Sequence, residues 1–188
     1  TAYEITYGDW SSDVCSSDLM PRSISRNANT SDRGDDLHRR TLYTHLQRTF
    51  PHPLLVNFDA PGREECTASR PVSNTPLQAL NLLNDPIFVE AARVLATQTL
   101  REGGRRFDTR LRWACERVLA RPPLPEEVRL LQGLLDQQLA RYRQDPAAAR
   151  ALLAVGEAPA PKGDPAELAA WTALTRALLN LNETVTRN

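Results

Sequence analysis

The feature that most constrains this chain is a repeated helix-start device. Asn74-Thr75-Pro76, Asp85-Pro86, Asp145-Pro146 and Asp164-Pro165 each set a short polar side chain just ahead of a proline. The side-chain oxygen accepts N–H groups that a first helical turn leaves unpaired, and proline brings no N–H of its own to that turn. The same proline ends any helix arriving from the N-terminal side. Asn74 is read as the cap of a helix near 75–84. Pro86 separates it from a longer helix near 86–101, which Gly103-Gly104 closes.

The stretches between these joints carry helical periodicity. Leu111, Ala114, Cys115, Val118 and Leu119 share one face of a helix that should end at Pro122-Pro123. Val128, Leu131, Leu135 and Tyr142 stripe the next, flanked by Leu130 and Leu134. Residues 146–154 form a short Ala-rich helix, and 156–165 (GEAPAPKGDP) reads as a linker-like loop. Leu168, Trp171, Leu174, Leu178 and Leu181 stripe the last helix. Upstream, Asp36 is placed to cap a helix over about 37–49, stopped by Pro51 and Pro53. The apolar run LLVNF at 54–58 is too short to separate strand from buried coil. No alternating pattern persists. The expectation is an all-α, irregular bundle of about six to seven short to medium helices, with an extended loop near 50–73.

Composition matters most at the N-terminus. Residues 1–19 (TAYEITYGDWSSDVCSSDL) hold four acids, Glu4, Asp9, Asp13 and Asp18, and no base. This segment resembles a translated sequencing adapter and is set apart from the fold. Removing it leaves 19 of the 23 acidic residues against 23 basic ones, a formal +4. Charges of both signs alternate along the helices, so no nucleic-acid partner is expected. Lys162 is the one lysine, and the arginine excess is read as the coding bias of a GC-rich genome. Residues 20–36 are polar, and a loop or disordered segment is expected there. No apolar run approaches bilayer-spanning length. No nucleotide-binding glycine loop and no Cys-x-x-Cys-His occurs, so no cofactor is expected. His38, His45 and His52 lack the neighbouring ligands a metal site needs, so none is expected there either.

Residues that could carry chemistry gather between Asp59 and Pro86. Asp59, Arg63, Glu64, Glu65, Cys66 and Arg70 crowd one loop. They either pair among themselves to fix the loop or form a polar pocket in which arginine recognises a carboxylate, phosphate or sugar hydroxyl. Cys66 is read as a buried, inert thiol or, beside Arg63 and Arg70, as one with a lowered pKa. On the following helix Asn74, Gln78, Asn81 and Asp85 share a mostly neutral face, while Leu77, Leu80 and Leu83 line another. Amides serve where donors and acceptors must be satisfied without ionic desolvation, on the neighbouring loop backbone or on a polar ligand. The candidate ligand-binding residues are therefore Asp59, Arg63, Glu64, Cys66, Arg70, Asn74, Gln78 and Asn81; no catalytic residue is assigned.

The string FDAPGREECTASRPVSNTPLQALNLLNDPIFVEAAR, residues 58–93, closely resembles the signature of the PSD1 (DUF1553) domain of planctomycete-type bacterial proteins. HRRTLYTHLQRTFPHP looks like its lead-in, and LARPPLPEEVRLL, ARALLAVGEAP and WTALTRALLNLNETVTRN follow in order. The resemblance covers about 37–188, and it departs from the pattern at Ser69 and Val72-Ser73. It implies a C-terminal helical module of a larger multidomain protein, here a truncated fragment, with upstream domains of the same polypeptide as its partners. It also implies a cell-envelope or exported location. The family's activity is uncharacterised. A structural or interaction role is the first reading; a site for polysaccharide-related chemistry is the alternative.

Overall fold

A computed structural model describes residues 53–62, 66–69, 71–159 and 163–186. Among these the chain is all-α, as expected. The elements are α1 (Pro53–Asn57), α2 (Pro76–Asn84), α3 (Pro86–Glu102), α4 (Phe107–Leu119), α5 (Pro125–Gln144), α6 (Pro146–Leu153), α7 (Pro165–Leu179) and α8 (Asn182–Val185). The helix expected over 37–49 lies outside the described residues. The LLVNF run, left open between strand and coil, is helix through Asn57 with Phe58 in the turn that follows: Pro53 occupies the helix's first position and Leu54 is buried. The chain divides into two compact units, residues 1–78 and 79–188, so the boundary falls within α2.

The joints follow the proline devices. Asp85 accepts from Ile87 N at 2.9 Å, Asp145 from Ala147 N and Ala148 N at 3.1 and 3.0 Å, and Asp164 from Ala166 N at 3.1 Å. Gly103 closes α3 by donating to Thr99 O at 2.9 Å. α4 stops at Leu119, ahead of Pro122-Pro123, because Ala120 turns left-handed with φ 56°.

In the second unit α7 is the axis, packed by α3, α5, α6, α4 and α8. It is buried nearly all round: Leu168, Ala169, Ala170, Trp171, Thr172, Leu174, Thr175, Leu178 and Leu179. A helix apolar on every side must be central. Alanines at 92 and 96 on α3 and at 169 and 170 on α7 are fully covered, and Thr175 Oγ1 donates across to Ala92 O at 2.9 Å. Leu181, read as the end of the α7 stripe, falls beyond the helix and is 39% exposed, because Asn180 already forms the C-cap. Around α6, Tyr142, Ala149, Ala169 and Ala170 form a smaller cluster.

Arg121, between α4 and α5, grips Glu127 of α5 at 2.7 Å and Glu183 of α8 at 2.7 Å. Glu127 also accepts from Leu124 N at 2.7 Å. Hydrogen bonds from the guanidinium hold both carboxyls below their ordinary range. A depressed carboxyl contributes stability above its unfolded pKa and loses it as pH falls through the folded value. Thermal melts taken from neutral to acid pH should therefore show a small acid-side loss, since the three side chains are 30–47% exposed and screened by solvent. Arg121→Gln should reduce that loss; an unchanged acid limb would show that the triad contributes nothing.

Candidate functional site

The first unit organises around the end of α1. Phe58 N, Asp59 N and Ala60 N turn back on Leu54 O, Val56 O and Leu55 O at 3.0, 3.1 and 2.8 Å. Asp59 itself is left-handed, φ 59°, a conformation aspartate tolerates better than most residues. This aims its carboxylate at Ser73, whose N–H donates at 2.8 Å and whose hydroxyl reaches both carboxylate oxygens at 2.7–2.8 Å. Gln78, 4% exposed, completes the cluster. Its Nε2 donates to Asn57 O at 2.7 Å and Ser73 Oγ at 3.1 Å, with Asp59 Oδ2 at 3.5 Å.

Gln78 also caps its own helix. Its Oε1 accepts from Thr75 N at 3.1 Å while Thr75 Oγ1 accepts from Gln78 N at 3.3 Å. Thr75-Pro76-Leu77-Gln78 is thus a reciprocal capping box, and the cap is Thr75 rather than Asn74. Asn74 is exposed and makes no hydrogen bond among the described residues. The expected shared amide face is broken up accordingly: Gln78 turns inward, Asn81 is half-buried, and Asp85 belongs to the next helix. Leu77 and Leu80 face out instead, 49% and 56% exposed, while Leu82 is buried. The inversion has a plain cause. Carbonyl and carboxylate groups at the α1 exit need donors, and an inward glutamine supplies them.

Arg63, Glu64 and Arg70 lie outside the described residues, as do the three histidines. Cys66 is exposed, so the buried-thiol reading is corrected: its side chain lies open to solvent, not in a core. Among the described residues the buried thiol is Cys115 of α4, its pKa pushed up to about 11 chiefly by burial. Among the described residues no group of three or more His, Cys, Asp or Glu side chains could hold a metal ion.

A second polar cluster went unnoticed in the sequence. Glu90 and Arg93 of α3 are 9% and 2% exposed. Glu90 accepts the consecutive N–H groups of Glu157 and Ala158 at 2.9 and 2.6 Å. Arg93 donates to Leu153 O and Ala158 O, both at 2.8 Å. The stretch read as a linker-like loop is therefore tied down at residues 157–158. Gly156, φ 89°, lets the loop pass over Glu90. The available signal was Glu-x-x-Arg among the apolar residues of α3, Phe88, Val89 and Ala92. Ionisable side chains on a helix face that is otherwise buried must find partners.

The PSD1 family model, described as protein of unknown function (DUF1553), matches residues 6–135. The chain belongs to this family. No curated protein and no solved structure matches it. The matched residues of this PSD1 chain include Asp59, Ser73, Gln78, Glu90 and Arg93, whereas the loop held by the last two lies past the match. No described helix is long and apolar enough to cross a membrane.

Substituting Gln78 tests the first cluster. Gln78→Leu keeps the volume but strands Asn57 O and Thr75 N. We expect a cost of about 2 kcal/mol, with faster amide hydrogen exchange at Ser73 and Thr75. Unaltered exchange at both amides would mean that Gln78 does not hold the loop.

Proposed function

We propose that this PSD1 chain is a helical structural or interaction module that packs against another domain of its own polypeptide. The observation that carries this reading is the mutual hydrogen bonding of Asp59, Ser73, Thr75 and Gln78. Two of the side chains nominated for ligand binding direct their hydrogen bonds to the protein's own backbone and to each other. A ligand site keeps some donors and acceptors directed at an open cavity. The Glu90–Arg93 cluster follows the same logic, with buried charge used to hold a loop.

The test compares Arg63→Ala and Gln78→Ala in the longest natural polypeptide that carries this chain. Each variant is assayed for thermal stability and for binding and turnover across a glycan panel. The structural reading expects Gln78→Ala to lower the melting temperature, and neither variant to change any glycan signal. A glycan bound by the parent and lost in Arg63→Ala at unchanged melting temperature would replace it with the polysaccharide-site reading.

A further inference from the structure

We draw no further inference here: the strongest candidate, the exposed apolar side chains Val56, Val72 and Leu77 of the α1–α2 segment, carries nothing because nothing in the structure shows what covers them.

Discussion

Gly156→Ala is expected to destabilise the protein by about 3–4 kcal/mol, lowering the melting temperature by about 10 °C. Two effects add. The residue sits at φ 89°, where a Cβ is strained whatever the space. The new Cβ would also overlap Glu90 Oε2 and lie 2.6 Å from both Glu90 Cδ and Cβ. A flexible carboxylate tip could swing away from such a contact, but the Glu90 Cβ is fixed to α3. The loop must lift, and the bonds from Glu157 N and Ala158 N to the carboxylate stretch with it. Two controls make the result specific. In a Glu90→Gly background, which removes the Cβ along with the carboxylate, the same substitution should cost only about 1 kcal/mol, the backbone part. Gly133→Ala, inside α5 with nothing within 4 Å of its Cβ, should stabilise by about 0.5–1 kcal/mol. Equal losses for Gly156→Ala in both backgrounds would show that Glu90 and the loop are not coupled.

Trp171→Ala should cost about 3–5 kcal/mol in urea unfolding. The indole is 2% exposed at the middle of α7. Phe107 of α4 stacks at a tilt, ring centroids 6.0 Å apart, and the Arg110 guanidinium lies 6.0 Å from the indole ring centre. Arg110 is itself held by Glu167 at 2.8 Å and Gly104 O at 2.9 Å. Removing the indole therefore leaves a cavity and loosens the group that ties the α3–α4 turn to α7. Domains of this kind are stable by only about 5–15 kcal/mol, so the variant should approach the limit of folding. Trp171→Phe, which keeps an aromatic contact, should recover much of the loss. A cost below about 1 kcal/mol for Trp171→Ala would rule out α7 as the axis of the unit.

The joints were legible in the sequence because each rests on neighbouring residues. A carboxylate beside a proline caps a helix wherever the rest of the chain goes, and Asp85, Asp145 and Asp164 do so. The buried stripe of α7 was legible for a similar reason, since the spacing of Leu168, Trp171, Leu174 and Leu178 depends only on helix pitch. The polar clusters were not. Whether Gln78 faces solvent or core depends on carbonyl and carboxylate groups that α1 leaves some twenty residues away, at Asn57 and Asp59. Whether Glu90 is surface or clamp depends on a loop that follows it by 67 residues. Apolar periodicity reports which side of a helix needs cover. It does not report which distant backbone group will come to meet a polar side chain. The misreading of Cys66 is of the same kind, because thiol burial depends on neighbours that the loop sequence does not specify.

The Glu90–Arg93 grip also sets an order of events for a chain made from its N-terminus. When α3 leaves the ribosome, its two ionised side chains have no partners, for the carbonyls and amides they need lie 60–68 positions downstream. Thr175, which closes α7 onto Ala92, comes 83 positions after it. Nascent α3 must therefore stay hydrated until at least residue 158 has been synthesised. Settling of the second unit is a late, long-range step, slower than the local capping that starts each helix.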